Sequence, residues 1–210
     1  MKVIDVIKNR RSIRKFKKKN VRPEPMKVIL DAARWAPSAS NRQPWKFIIL
    51  SEKDDKELVA RLYVDAYKKE ANDVVLRDDA DQYFEKPYEV KKRILEMTDL
   101  LWDQMANPQY IVLVCANTKK SKSYLFESGC AVQNMMLAAW EMGIGSCVIE
   151  IATSLLSEYF DIDTLKNYFA IPEHIEVVSL VPMGFPEKIP PPPPRELLRD
   201  FHFRHYWIPG

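Results

Sequence analysis

The segment QYIVLVCA, residues 109–116, constrains the fold more than any other part of the chain, because seven of its eight residues are apolar. A strand with one solvated face alternates apolar and polar side chains, whereas a strand covered on both faces is apolar throughout. Residues 109–116 are therefore predicted to form a strand that is buried on both faces. A chain of 210 residues is long enough for one domain with a core around such a strand.

The rest of the chain alternates between helical and extended patterns. Apolar residues at helical spacing predict helices over residues 2–9, 25–36, 54–72, 89–106, 123–142 and 153–170. Strands are predicted over residues 45–50, 146–151 and 175–183. Pro25 is the predicted first residue of its helix, Pro37 ends that helix, and Gly143 directly follows the longest one.

Composition and the N-terminal segment favour a cytoplasmic protein. Hydrophobic residues make up 47% and charged residues 29% of the chain, which is typical of a globular domain. The chain is charged from Lys2 onward, without the apolar stretch of a secretory signal, and no apolar run approaches the roughly 20 residues of a membrane span. Cys115, Cys130 and Cys147 lie far apart in apolar surroundings and are interpreted as reduced thiols, so no disulfide or metal site is predicted.

Positive charge is concentrated in residues 8–22, which hold nine Lys or Arg residues and no acid. The rest of the chain has 23 basic and 29 acidic residues. Such local charge suits a small anion better than a nucleic acid, which is usually bound by positive charge spread over a face or along a helix. Two other interpretations stay open, a solvated basic turn and an arm that binds RNA or an acidic surface.

Within this segment, Arg10, Ser12 and Arg14 occupy alternate positions. In an extended backbone, the side chains at i, i+2 and i+4 project from the same face. Two guanidiniums and a hydroxyl on one face suit a phosphate, because the planar fork of arginine matches phosphate oxygens in a bidentate way. The spacing therefore indicates a candidate phosphate site.

The segment APSASNRQP, residues 36–44, separates a predicted helix from a predicted strand. Its prolines, serines and asparagine make it too polar for a core and too constrained for a slack linker. We interpret it as a loop that contacts a ligand or a partner.

Five consecutive prolines, Pro190 to Pro194, are predicted to form a stiff polyproline II rod. A proline-rich linker, or a ligand for another domain, is one interpretation of this segment. However, the rod is followed by aromatic residues that favour burial, namely Phe201, Phe203, Tyr206 and Trp207. The tail is therefore predicted to dock on its own domain or on a second subunit.

Four motifs, in this order and at these distances, resemble the nitroreductase family of FMN-dependent flavoproteins: RRSIRKF, APSASNRQPWKF, QNMMLAAWEMGIGS, and GFPEK followed by PPPPPR. The resemblance implies an α+β fold of the nitroreductase type, with a central, mostly antiparallel sheet flanked by helices, in an intertwined homodimer. It further implies a single domain over residues 1–210. Residues 54–106 would form a variable helical lid, and residues 186–210 a C-terminal extension that docks on the partner subunit.

The resemblance also implies tightly bound, non-covalent FMN at the subunit interface. The basic triplet and Arg195 would hold its phosphate and ribityl chain, residues 143–150 would run beside the flavin ring, and the loop at residues 37–41 would reach the FMN of the partner subunit. The residues that the resemblance assigns to FMN are Arg10, Arg11, Ser12, Arg14, Pro37, Ser38, Ala39, Asn41, Gly145, Ile149, Glu150 and Arg195.

Several of these assignments leave alternatives open. Arg11 and Arg195 are also compatible with residues that face solvent, and Glu150 with an edge-strand charge that faces water. Gln43 either helps to hold the loop or is an ordinary loop amide. In the family a polar residue of the lid often meets the O2 side of the flavin, and Asn72 is a candidate for that position.

The activity implied is that of an FMN-dependent NAD(P)H oxidoreductase that reduces nitroaromatic, quinone or flavin acceptors in a ping-pong cycle, by hydride transfer through flavin N5. No catalytic side chain is assigned, because the cofactor carries the chemistry. One alternative is a specialised member of the same fold, such as a reductive dehalogenase, a flavin-fragmenting enzyme or a heterocycle dehydrogenase. Another is a non-catalytic anion-binding protein. The sequence selects neither the acceptor nor NADH over NADPH.

Overall fold

A computed structural model describes residues 2–19, 21–76 and 87–201 of the chain. In these ranges the α-helices are α1 (Val3–Asn9), α2 (Pro23–Arg34), α3 (Lys53–Leu76), α4 (Pro87–Glu96), α5 (Thr98–Ala106), α6 (Tyr124–Glu141) and α7 (Ile162–Tyr168). The strands are β1 (Trp45–Leu50), β2 (Tyr110–Asn117), β3 (Gly145–Ser146), β4 (Ile149–Glu150) and β5 (Ile175–Gly184). No helix in the described ranges is long and apolar enough to cross a membrane.

The strands form one sheet in the order β1-β2-β5-β3, and the short β4 also pairs with β5. All four pairings between these strands are antiparallel. The predicted α+β fold with a mostly antiparallel central sheet is therefore confirmed.

Strand β2 lies between two hydrophobic cores, as its apolar sequence predicts. Ile111, Leu113 and Cys115 contribute to a core that includes residues of α3 and α5. Val112 and Val114 point the opposite way, into a core that includes residues of α2 and α6. Since successive side chains of a strand project to opposite faces, one apolar run supplies both cores.

The structure corrects four predictions of secondary structure. The predicted helix over 89–106 is two helices, α4 and α5, separated at Met97. Helix α2 begins at Pro23 rather than at Pro25. The predicted strand over 146–151 is two two-residue pieces, β3 and β4, separated at Cys147 and Val148. The predicted helix over 153–170 is a 3-10 turn (Leu155–Glu158) followed by α7. In each case a proline or a local break, rather than apolar spacing, decides where the element begins or ends.

The basic segment after α1 runs beside the sheet edge in extended form. Ser12 forms an isolated parallel bridge with Ser146 of β3, and the Ile13 N–H donates to the Ser146 carbonyl at 2.9 Å. A second bridge joins Phe16 to Pro186, just after β5. These contacts fix Arg10 to Arg14 against the edge strand β3 and the break that follows it.

The proline run at residues 190–194 is exposed and carries neither helix nor strand, in agreement with a solvated rod. Phe201 is exposed. The other aromatic residues of the predicted docking tail, Phe203, Tyr206 and Trp207, lie outside the described residues.

Candidate functional site

The arginines at the start of the basic segment carry buried nitrogen atoms without partners. Arg10 Nη1 and Arg11 Nε are buried and donate no hydrogen bond to any residue that the structure describes. The Nη1 atom of Arg11 donates to the carbonyls of Lys8 and Arg10, both at 2.8 Å. An unpaired buried donor is costly, and a cationic one more so, which favours a ligand at this point.

The electrostatics of Arg10 indicate an anion site. Burial lowers the pKa of Arg10; Cys147 has the next largest effect and raises it, and the guanidiniums of Arg11 and Arg195 lower it. Arg195 follows the proline rod and lies 185 positions away in sequence, yet its charge influences Arg10. No carboxylate of the described residues is among these influences, and cations that repel one another are stabilised by a bound anion.

Gly145 allows the basic segment to pack closely against β3. A Cβ atom built on Gly145 would lie 2.6 Å from Cγ1 and 2.8 Å from Cβ of Ile13. Ile13 itself is fully buried, so its side chain has little room to move. The close approach of the two segments requires a glycine here, and it holds Ser12 and Arg14, the sequence neighbours of Ile13, along the edge of the sheet.

A cavity of about 440 Å³ lies beside Arg14. It is bordered by the predicted ring-contact residues Ile149 and Glu150 and by the buried Cys147. Burial raises the pKa of Cys147. The positive charge of Arg14, a hydrogen bond with Ser12 and the positive charge of Arg10 each lower it. The thiol interpreted as a core group from the sequence therefore lies between the basic triplet and the cavity.

The Glu150 carboxylate is engaged in local structure. Its Oε1 accepts hydrogen bonds from the backbone N–H groups of Ala152 at 2.7 Å and Thr153 at 2.8 Å, and the Ser154 hydroxyl donates to its carbonyl at 2.8 Å. These bonds hold the turn after β4 in place. Glu150 thus lines the cavity while its carboxylate shapes the turn, a role that sequence spacing did not indicate.

Helices α3 and α5 contribute residues that the sequence did not single out. Tyr63 and Tyr67 of α3, together with Gln104 of α5, border the cavity beside Arg14. The two tyrosines are four positions apart, so they lie on the same helix face, and this spacing was the available signal. Asn72, the candidate named from the resemblance, is exposed on α3 and does not border this cavity.

The loop between α2 and β1 is held in an unusual backbone conformation. Ser40, Asn41 and Gln43 have φ angles of 50°, 54° and 47°, in the left-handed region that residues other than glycine seldom adopt. The Gln43 N–H donates to the Ser38 hydroxyl at 3.0 Å. Three such residues in one short loop persist only where surrounding contacts hold them, and strain of this kind clusters at functional sites.

The main anchor of this loop is Glu127 on α6. Its Oε1 accepts the Ala39 N–H at 2.8 Å, and its side chain is only 2% exposed. The second oxygen, Oε2, is buried and has no partner among the described residues. The neighbouring loop residues Pro37, Ala39 and Asn41 are exposed, so the anchored backbone presents them outward.

Replacing Glu127 by alanine is expected to lower the free energy of unfolding of the FMN-free protein by about 1–3 kcal/mol, because the part-buried Ala39 N–H loses its charged acceptor. Glu127→Gln retains an acceptor oxygen and is expected to lose less. Urea unfolding followed by circular dichroism measures both, with Gln133→Ala, an exposed change on the same helix, as the control. Equal stability of Glu127→Ala and the parent protein would exclude the anchoring role.

The loop and the basic cluster lie at opposite corners of the sheet. The loop enters β1, one edge strand, at Trp45, which pairs with Ala116 of β2. The basic cluster adjoins β3, the other edge strand, whose Ser146 pairs with Met183 beside Tyr110, at the other end of β2. From strand geometry the two sites are separated by roughly 20 Å along β2 and about 14 Å across the sheet. One chain therefore does not bring together all the residues that the resemblance assigned to one ligand.

Comparison with known proteins identifies the family. The family model described as Nitroreductase family matches residues 7–185, and the chain therefore belongs to the nitroreductase family. The prediction of a nitroreductase-type oxidoreductase is thereby confirmed.

Individual relatives agree with this assignment. The chain is 26% identical over 193 residues to a protein of Methanothermobacter thermautotrophicus with the provisional name NADH dehydrogenase/NAD(P)H nitroreductase, covering 90% of this chain and 80% of that protein. It is 27% identical over 194 residues to iodotyrosine deiodinase of Thermotoga neapolitana, covering 91% and 92%. A solved structure of iodotyrosine deiodinase bound to FMN and 3-iodo-L-tyrosine shares the fold, with a TM-score of 0.74, 22% identity and 98% and 100% coverage.

Proposed function

We propose that the protein is an FMN-dependent oxidoreductase that uses NAD(P)H to reduce nitroaromatic, quinone or flavin acceptors. The observation that carries this proposal is the buried, unpartnered Nη1 of Arg10, surrounded by the positive charges of Arg11 and Arg195. A phosphate monoester supplies the negative charge and the hydrogen-bond acceptors that this group of guanidiniums lacks.

The residues around the basic cluster suit the phosphate and one side of FMN. Arg10, Ser12 and Arg195 would hold the phosphate end, and the backbone from Gly145 to Glu150 would border the ring. Bound FMN supplies the redox chemistry, accepting two electrons from NAD(P)H and passing them to the acceptor. Arg14 borders the adjoining cavity and would stabilise the negative charge that develops on the reduced ring.

A homodimer with two shared sites accounts for the separation of the loop from the basic cluster. In such a dimer, the loop at residues 37–41 of one subunit would reach the FMN held by the arginines of the other. Large apolar side chains that are exposed in the single chain support an interface, namely Val3, Ile4, Ile7, Trp35 and Phe126. The extension at residues 186–210 would dock on the partner, and residues 54–106 would form the lid over the substrate.

Flavin content and reduction test the proposed function. The purified protein is expected to be yellow, to release FMN on denaturation, and to lose its visible absorbance anaerobically on addition of NADH or NADPH. Nitrobenzene, 1,4-benzoquinone and 3-iodotyrosine, added in turn, distinguish a general reductase from a dehalogenase, the activity that the name of the Thermotoga relative gives. Colourless protein that cannot be reconstituted with FMN would contradict the proposal and would favour the alternative of a non-catalytic anion-binding protein.

A further inference from the structure

Gln104 is a buried polar side chain without a partner in the part of the chain that the structure describes. It lies on the inner face of α5, between the apolar Leu101 and Met105, and only 3% of it is exposed. Its amide forms no hydrogen bond with a described residue. An amide has two donor hydrogens and an acceptor oxygen, and the Gln104 amide is not among the fully buried polar atoms that lack a partner, so it opens onto the space beside it. Its position therefore suits a group that arrives from outside the chain.

Two cavities meet at this side chain. The first is the cavity of about 440 Å³ beside β4, and the second, of about 400 Å³, lies under the lid. Arg14, Tyr63, Tyr67 and Gln104 border both cavities. Gln104 thus faces both the space beside the proposed flavin ring and the space under the lid.

The lid cavity has the chemistry of an aromatic subsite. Its other walls are apolar and are formed by Ile94, Met97 and Leu101. The Tyr63 and Tyr67 rings meet edge to face, with centroids 5.0 Å apart and planes at 81°. Apolar walls with a tyrosine pair accept a flat ring through burial and ring contacts, and Arg14 and Gln104 add polar groups at its border. The lid cavity therefore suits a flat ring that carries a polar substituent.

We propose that the lid cavity binds the ring of the electron acceptor and that the Gln104 amide donates a hydrogen bond to a nitro or quinone oxygen of that acceptor. This inference rests on the proposed function, since it needs FMN in the neighbouring cavity. The amide makes Gln104 a specificity-determining residue. An oxygen-bearing acceptor satisfies the buried donor, whereas a hydrocarbon of the same shape leaves it unpaired.

Binding of nitrobenzene and of toluene to the oxidised, FMN-loaded protein tests this contact without turnover. Without NAD(P)H neither ligand is reduced, and calorimetry reports both affinities. Gln104→Leu is expected to raise the dissociation constant of nitrobenzene about tenfold, and to leave that of toluene unchanged or lower it. Met97→Ala, which removes part of the apolar wall, is expected to raise the dissociation constants of both ligands by a similar factor.

The control is Gln133→Leu, which makes the same change at an exposed position and is expected to alter neither affinity. Gln104→Met, an unbranched apolar replacement of similar length, repeats the test if the leucine variant does not fold. Unchanged nitrobenzene affinity in a Gln104 variant that retains FMN would overturn the inference alone. Loss of FMN from a folded Gln104 variant would also overturn it, by assigning the amide to the cofactor. Failure of the parent protein to bind FMN would contradict the proposed function itself.

Discussion

Replacing Arg10 by alanine is expected to weaken FMN binding by about 10- to 150-fold, which corresponds to about 1.5–3 kcal/mol for a lost charge-assisted hydrogen bond. Arg10 is half-buried, and its Nη1 has no partner among the described residues. The positive charges of Arg11 and Arg195 repel that of Arg10. These features leave its guanidinium unsatisfied until an anion binds. Quenching of FMN fluorescence on titration with the FMN-free protein gives the dissociation constant.

The stability of the FMN-free protein provides an independent readout for the same variant. A structural arginine stabilises the fold through its partners, whereas Arg10 has repulsive neighbours, so its removal is expected to leave the free energy of unfolding unchanged or to raise it. Lys18→Ala is the matched control, because Lys18 lies in the same basic segment and is exposed. Equal FMN affinity of Arg10→Ala and Lys18→Ala would show that these charges serve another ligand.

Gly145→Ala is expected to destabilise the fold by about 1–3 kcal/mol and to reduce FMN binding at the same time. The new methyl group would lie 2.6 Å from Cγ1 of Ile13, which is fully buried and cannot turn aside. Relief requires the basic segment to move away from β3, which displaces Ser12 and Arg14 from the site. Urea unfolding measures the first effect, and FMN titration measures the second.

Gly143→Ala separates the two effects. Gly143 follows α6 with a φ of +74°, and nothing lies within 4 Å of a Cβ atom built on it. Alanine there costs about 1 kcal/mol of conformational strain without pushing on the basic segment. We therefore expect Gly143→Ala to be less stable but to bind FMN normally. If both glycine variants bind FMN like the parent protein, the close packing of Ile13 on Gly145 does not position the site.

Sequence predicts this fold well where one pattern has one physical meaning. The uninterrupted apolar run of β2 has to be buried on both faces, and its alternate residues do enter two cores. Gly143 follows α6, as predicted, and has the left-handed conformation typical of a glycine at that position. Prediction is weaker at β3 and β4, because an apolar stretch does not reveal the break at Cys147 and Val148, which depends on pairing with β5.

In the candidate site, too, the sequence predicts local features better than contacts between distant segments. The alternation of Arg10, Ser12 and Arg14 is local, so the sequence reveals it, and the structure places these residues beside β3. Glu127 and Gln104 act across the fold, at the loop 88 positions away and at the junction of two cavities. The spacing of residues along the chain does not predict contacts between segments that are so far apart in sequence. The bonds from Glu150 to its own turn were equally hidden, because a carboxylate beside a strand is compatible with many roles.

A mixed dimer tests most directly whether the arginines of one subunit and the loop of the other bind one FMN. One subunit carries Arg10→Ala and the other carries Ala39→Trp, which places a bulky ring on the exposed loop; each homodimer is expected to bind FMN weakly. If each site takes its arginines from one subunit and its loop from the other, one site of the mixed dimer contains both changes. The other site then contains neither. The account predicts one FMN per mixed dimer at the affinity of the parent protein. Absence of any site with that affinity would contradict it.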